Sequence, residues 1–339
     1  MMVPGVRSLW AGIAPVFGPR RFVVARLAGQ LHGEERETTA LYVGSGVNLP
    51  FLRRYFFGAA TTEVLGWRFA PLRPPRSVVG LPWVADLHLR DVPPVWGWAL
   101  PTTPGVFQVP AWVRQELRLT LPGHGLRWPV PRRAAREVWR HLRRQGWTLE
   151  LGTERRDLEE FYREHYVPYV TTRHGEDAVV VSWDHFLIRV RGHAIAWLRQ
   201  GQQRIAGMVL LRRRNVLRFG WFGAASCPAP AGASEVLDAL VLRHALERGV
   251  TDVILGNARP CVADGVFRYK RRLGATVQPC TFPQSTLEID ARSGHSGVLA
   301  CLRARPLLTR QHGRLRQLDV DAALGPRQGL QQVPHGDTG

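Results

Sequence analysis

One side chain stands apart by its chemistry. The chain carries 46 Lys and Arg residues, and Lys270 is the single lysine among them. Arginine is a planar fork that stays charged in proteins, whereas lysine is a compact ammonium whose pKa moves with its surroundings. A lone lysine in an otherwise arginine-only chain suits two tasks: neutralising a phosphate, or stabilising the oxyanion that grows when an amine attacks a carbonyl. A leftover codon is the plainer account of the same fact. Phe267 lies three residues earlier, the helical spacing at which two side chains are neighbours, and can flank a substrate. An attacking amine must lose a proton, which Asp264, His174 or a water held by Asn257 can take. Tyr162, Tyr166 and Tyr169 recur at helical spacing beside His165, a stripe that is more often core than binding site. Arg173 and His174 follow the end of that stripe, where a residue is freer to meet a ligand.

These residues need elements to hold them. Pro131 to Gln145 reads as a strongly basic helix with Val138, Trp139 and Leu142 as its apolar stripe, stopped by Gly146. A strand over Trp147 to Leu151 and a long helix over Asp157 to Thr172 follow. Three strands, His193 to Arg199, Arg204 to Arg212 and Val216 to Ala224, are joined by tight turns at Gly201 and at Arg213 to Asn215. An amphipathic helix over Ser234 to Glu247 comes next, with Val236, Leu240, Val241, His244 and Ala245 on one face. Ser234 is its expected N-cap, with Glu235 and Asp238 as first-turn acids. A strand over Asp252 to Leu255 and a helix over Gly265 to Leu273 precede a final strand pair between Ala275 and Ile289. In that short helix Val266, Tyr269 and Leu273 are expected to face inward. The basic side chains of Arg271 and Arg272 complement its C-terminal dipole, and Gly274 caps it.

The N-terminal half reads differently. Short apolar runs at Phe22 to Ala25, Leu41 to Gly44, Val64 to Phe69, Val95 to Leu100 and Leu117 to Leu121 suit strands, with one helix at Leu49 to Phe57. Residues 1–20 are expected to be a loose tail, 21–130 a β-rich domain, 131–305 a second domain, and 306–339 a polar tail. A formal charge of +19 attracts polyanions, among them nucleic acid, an anionic membrane surface or a phosphate-bearing cofactor. The four cysteines form no C-x-x-C pattern, so neither a disulfide framework nor a metal site is expected. No apolar run reaches membrane-spanning length and Met1 to Arg21 lacks a signal layout, so the expected location is the cytoplasm. Ser-His-Asp, H-E-x-x-H and Walker-type patterns are absent, which disfavours hydrolase, zinc protease and nucleoside triphosphatase chemistry.

Meander, helix, strand, helix, strand is the order of a GNAT acyltransferase core. Asp252 to Arg259, followed by Asp264 to Ala275, resembles the signature of the FemAB-like and BioF-like (CelD-type) branches of that superfamily. There a strand ending in a Gly-polar turn leads to a helix of pattern Gly-x-x-x-(Phe/Tyr)-Lys-x-x-aromatic-Gly. Gly265, Tyr269, Lys270 and Gly274 fall on that pattern; Leu273 replaces the aromatic. Phe161 to Tyr169 with Arg173 to Gly175 resembles the branch's acceptor-side helix, and the basic helix its domain junction. The resemblance runs from about Arg132 to Pro306.

It implies a mixed α/β (α+β) fold with tandem GNAT-like domains and transfer of an acyl group to an amine of an amino sugar, peptide or cell-envelope precursor. Lys270, Asp264 and Asn257 are then the expected catalytic residues, and Tyr166, Tyr169, Arg173 and His174 face the acceptor. Phe267, Tyr269, Ala225, Gly232 and Ser234 face the donor, acetyl-CoA or another acyl-CoA, held at the start of the Ser234 helix. The superfamily's usual Gln/Arg-x-x-Gly-x-Gly/Ala run is missing there, and Pro228 and Pro230 lack N–H donors. Two alternatives stand beside this reading. One takes the donor from aminoacyl-tRNA, as Fem-like enzymes do, and suits the charge. The other is a non-catalytic basic binding module using arginine and the tryptophans Trp67, Trp83, Trp96, Trp98 and Trp112, which burial in strands explains more simply.

Overall fold

The computed structural model describes residues 21–69, 85–94, 103–119, 132–175, 178, 180–280, 284–292, 296–311 and 314–324. The expected tail at 1–20, the strand at Val95 to Leu100, Trp83, Trp96, Trp98 and the last fifteen residues of the sequence lie outside them. The chain forms two compact units. One takes residues 19–111, 260–262 and 283–339, the other 112–259 and 263–282, so the division does not follow the boundaries expected at 130 and 305.

In the first unit, β1 (Arg21–Leu31), β2 (Glu37–Gly44), α1 (Leu49–Phe56), β3 (Phe57–Phe69), β4 (Leu87–Val92) and β5 (Val106–Pro110) follow in order. Phe22, Val23, Val24 and Ala25 of β1 are all buried, because a central strand covered on both faces keeps no polar alternation. α1 begins with Pro50 in its first turn and buries Phe51, Leu52, Tyr55 and Phe56.

The second unit holds β6 (Val113–Arg118), α2 (Arg132–Gln145), β7 (Trp147–Gly152) and α3 (Arg155–Glu160). A π-helical turn (Phe161–Tyr166) leads to α4 (Val167–His174) and α5 (Trp183–Val190). Then come β8 (Ala194–Gln200), β9 (Gln203–Arg213), β10 (Val216–Ala224), α6 (Ala233–Glu247), β11 (Asp252–Ala258), α7 (Gly265–Arg272) and β12 (Thr276–Pro279). Its seven strands lie in the order β12-β6-β11-β10-β9-β8-β7. The long helix expected at Asp157 to Thr172 is present but carries the π turn, which brings Phe161, His165 and Tyr166 all to the buried side. α5 was not expected. α6 is buried more widely than one stripe: Val236, Leu237, Ala239, Val241 and Leu242 are fully covered, whereas Leu240 and His244 are only partly so.

The chain then continues with β13 (Thr286–Asp290), α8 (Ser296–Ala304), β14 (Leu308–Gln311), β15 (Arg314–Gln317) and α9 (Val320–Leu324), all in the first unit. The segment expected as a polar tail after Pro306 therefore contains a β-hairpin and a short helix. Leu307 and Leu318 anchor it, both buried, in a stretch whose other residues are mostly charged or polar. The first unit's sheet has the order β3-β1-β2-β4-β13-β5.

The two sheets repeat one arrangement. In each, antiparallel strands (β8, β9, β10; β3, β1, β2) lead to a parallel neighbour (β11; β4), then an antiparallel strand (β6; β13) and an edge strand (β12; β5). This is a mixed α/β fold with tandem GNAT-like sheets. The expected final strand pair is corrected by the same facts. β12 pairs with β6, and β13 pairs with β4 and β5, so the two strands lie in different sheets. Periodicity marks a strand; it does not say which partner supplies the ladder.

Candidate active site

The parallel pair β10 and β11 is joined only over Val216 to Arg218 and Asp252 to Ile254. Beyond that point each strand also slips its register with its other neighbour: β10 between Phe219 and Phe222 against β9, β11 between Ile254 and Asn257 against β6. Bulges twist and bend a strand, and two of them side by side open the sheet between β10 and β11. Gly256, in the β11 bulge, has φ +84°, which glycine adopts without strain. A Cβ placed on it would lie 3.6 Å from Lys270 Nζ and 3.6 Å from the Phe219 carbonyl oxygen. The lone lysine thus reaches the point where the strands separate.

α7 delivers it there. Asp264 caps the helix, its Oδ1 accepting from Phe267 N at 2.9 Å, and Lys270 falls in the last turn. Lys270 Nζ donates to the Asn257 carbonyl oxygen at 2.9 Å. Of the expected catalytic trio, Lys270 and Asn257 meet directly, through the backbone of Asn257. The Asp264 carboxylate is engaged as a cap.

The inward face of α7 differs from the expected one. Val266 is 49% exposed, whereas Phe267 is 5% exposed and its carbonyl oxygen accepts from Gln115 Nε2 at 3.1 Å. Gln115 belongs to β6, which lies between β11 and β12 and presents a fully buried side chain there. A helix covering that extra strand buries a different strip from the one its own periodicity indicates. Phe267 is consequently a core residue, not a flank for substrate.

A buried acid stands next to this lysine, and its sequence signal was read as a first-turn charge on α6. Asp238 is 8% exposed, and its Oδ2 accepts from the Tyr269 hydroxyl at 2.6 Å. Burial pushes its carboxyl up to about 7, against the opposing effects of the Tyr269 hydrogen bond and the Lys270 charge, with Glu235 adding to the rise. Burial also pushes Lys270 down to about 8; Asp238 and Asp264 hold it up, and Arg218 of β10 pushes it further down. The Tyr269 phenol is raised by burial first and then by Asp238. Arg218, half-buried on β10, is itself lowered by burial. Asp238 was legible only as an acid among apolar neighbours: Leu237, Val241 and Leu242 around it are fully buried.

The start of α6 departs from the expected cap. Gly232, with φ +84°, is the N-cap, and Ser234 lies inside the helix, its Oγ donating to Glu235 Oε2 at 2.9 Å. A Cβ on Gly232 would meet the His141 ring at 2.7 Å, so glycine is required there both by φ and by the close packing of α2. Ala225 is exposed, but its N–H is spent on the Ile205 carbonyl at 3.0 Å, and that of Ala233 on Pro230 at 2.9 Å. Pro228 and Pro230 have no N–H, and Glu235 puts a carboxylate in the first turn. Two prolines, two amides already bonded and a first-turn carboxylate leave this loop fewer donors for a pyrophosphate than a glycine-rich one has.

On the acceptor side, Tyr166 and Tyr169 are 3% and 6% exposed. Tyr166 packs among Phe161, Tyr162, Phe186 and Trp221, and its oxygen accepts from Val181 N at 3.4 Å. Tyr169 packs against Phe222 and hydrogen-bonds the Arg173 guanidinium. Both tyrosines are core, as the plainer reading of such a stripe holds. Arg173 and His174 are exposed at the end of α4. His165 Nε2 lies 3.0 Å from the Arg204 carbonyl, and its backbone is so near β10 that a Cβ on Gly223 would meet it at 2.6 Å. Among the described residues no group of His, Cys, Asp and Glu side chains could hold a metal ion, and no helix is long and apolar enough to cross a membrane.

The chain matches no family model and no curated protein sequence. Among solved structures it is similar to L-PGS from Bacillus licheniformis, at 14% identity, covering 78% of this chain and 81% of that one with a TM-score of 0.41. It is also similar to FemX, at 9% identity over 84% of this chain and 90% of that one, TM-score 0.41. A third likeness is to a GCN5-related N-acetyltransferase from Sphaerobacter thermophilus, at 15% identity over 60% and 59% of the two chains, TM-score 0.37. Likenesses this loose carry no residue and no substrate to this chain, and the fold assignment rests on strand order and pairing.

Proposed function

We propose that the second unit transfers an acyl or aminoacyl group to an amine, with the carbonyl seated where β10 and β11 separate. One observation carries this: the single lysine, Lys270, is anchored at that opening by its hydrogen bond to the Asn257 carbonyl. A fixed positive charge in a partly dry site stabilises a growing oxyanion more than water does, because it needs no reorganisation as the charge forms. The test is turnover, followed by mass spectrometry, with amine acceptors and two donors, acetyl-CoA and aminoacyl-tRNA. Lys270→Met is expected to lose at least about a hundredfold in kcat, the scale of removing one oxyanion donor, while keeping the circular-dichroism spectrum and cooperative unfolding of the wild type. Equal turnover of Lys270→Met and wild type sinks the assignment.

For the donor, the start of α6 favours aminoacyl-tRNA over an acyl-CoA, since it offers a carboxylate and prolines where a pyrophosphate needs amides. The surface of α2 supports the same choice. Arg136, Arg140, Arg143 and Arg144 are exposed on it, and among the described residues no ion pair engages any of them. Such a ridge suits a phosphate backbone, whose counterions are released on binding. Millimolar acetyl-CoA is expected to leave the unfolding midpoint unmoved, whereas tRNA binding falls steeply with salt. Replacing the four arginines by glutamine lowers the slope of log K against log salt by about 3, at roughly 0.7–0.9 per phosphate contact. A clear rise in midpoint with acetyl-CoA reverses the choice of donor.

A further inference from the structure

Asp238 is costly to bury. It sits in the buried face of α6 among Leu237, Val241 and Leu242, where an aliphatic side chain would extend the core at no desolvation cost. The carboxylate is nevertheless engaged on one side by the Tyr269 hydroxyl at 2.6 Å, and Tyr269 precedes Lys270 on α7. We propose that Asp238 is a positioning residue of the reaction centre, holding the Tyr269 phenol by its hydrogen bond and the Lys270 ammonium by its charge. The proposal rests on the reading that Lys270 works at the substrate carbonyl.

The groups that face this unit set its behaviour. Asp238 meets Tyr269 and Lys270 from α7 and Glu235 from its own helix. Lys270 meets Asp238 from α6, Asp264 from the start of α7 and Arg218 from β10. Burial and Arg218 both favour a neutral amine; the negative charges of Asp238 and Asp264 keep it an ammonium. Asp264 also caps α7, whereas Asp238 is buried, with its carboxyl raised to about 7, so its charge changes near neutral pH. Its hydrogen bond from Tyr269 favours the ionised form, which links the phenol to the charge of the lysine. Loss of the carboxylate charge releases the amine toward neutrality and frees the end of the tyrosine ring.

The composition supplies a direct readout. Lys270 carries the one lysine amine in the chain, so its reactivity can be followed without interference from another. Competitive labelling of the full-length protein with acetic anhydride, quantified by mass spectrometry of the Lys270 peptide against pH, gives the titration midpoint. Wild type is expected near 8. Asp238→Asn keeps the shape and an oxygen for Tyr269 but removes the charge, and lowers the midpoint by about one unit, up to tenfold more free amine at neutral pH. Tyr269→Phe moves it the same way by less. Glu247→Gln, at the exposed end of α6, leaves it unchanged. Coincident midpoints in wild type and Asp238→Asn overturn the proposal. If Asp238→Asn does not fold, Tyr269→Phe decides in its place, since it removes one hydroxyl only.

The labelling result stands apart from catalysis. A moved midpoint in a protein that transfers nothing upholds the unit and sinks the functional reading; an unmoved midpoint in an active enzyme does the reverse. In an active enzyme Asp238→Asn lowers kcat about tenfold or more while KM for the amine changes little, as for a group acting only in the transition state.

Discussion

The opening between β10 and β11 is best probed by a matched pair of glycine substitutions. Gly256 and Gly249 both have positive φ, +84° and +70°. A Cβ at 249 meets nothing within 4 Å, whereas one at 256 lies 3.6 Å from Lys270 Nζ and from the Phe219 carbonyl, an ordinary contact with no clash. The backbone term is therefore shared and the neighbours differ. A left-handed conformation costs a non-glycine residue about 1–2 kcal/mol, and the stiffer unfolded chain returns about 0.4–1 kcal/mol. Each alanine variant is expected to lose about 1 kcal/mol, or roughly 2–4 °C in midpoint for a unit of this size. Only Gly256→Ala puts a methyl group against the amine and narrows the place proposed for the carbonyl. Calorimetry is expected to show similar losses for both. Turnover is expected to fall about tenfold or more in Gly256→Ala alone, a barrier rise of about 1.4 kcal/mol. Equal turnover in the two variants would falsify the placement of the reaction at this opening.

Three further outcomes follow from named contacts. Gly232→Ala adds to the φ penalty a methyl that meets the His141 ring at 2.7 Å, so its loss is about 2–4 kcal/mol. Adding His141→Ala recovers the contact part, and a double-mutant cycle with no coupling refutes the packing of α2 on that glycine. Asp238, raised to about 7, binds a proton in the folded state that the unfolded chain releases near the ordinary carboxyl value of 3.8; this part of stability is present below 3.8 and lost by 7. Lys270, lowered to about 8, costs stability while the unfolded lysine stays charged up to 10.5, so that cost is relieved as pH rises from 8 to 10.5. The double variant Asp238→Leu with Lys270→Met is therefore expected to gain most over wild type between pH 7 and 8, read by denaturant unfolding across pH. A gain independent of pH removes the buried pair as its source. Leu242→Ala, in the fully buried centre of α6, costs about 2–5 kcal/mol. A loss near zero contradicts the core as drawn.

Much of the second unit was legible in the chain. Strands at Trp147, Ala194, Gln203 and Val216, the helix ending at Glu247 and the short helix starting at Gly265 follow from local periodicity and turns, which act over a few residues. The lone lysine was visible by counting. Local chemistry did not reveal which strands pair. β12 and β13 read as a pair, yet each joins a sheet whose neighbouring strand comes from far along the chain, β6 for one and β4 for the other. Insertion of β6 brought Gln115 against α7 and turned Phe267, rather than Val266, inward. The same tertiary packing turned Asp238 from a helix-end charge into a buried acid. A carboxylate's role depends on what surrounds it in space, and Tyr269, its partner, lies thirty-one residues away. The sequence by itself determined most elements of the second unit and supplied the single lysine. Only the tertiary structure decided which side chains share the opening with it, because burial and charge act between residues that the chain order keeps apart.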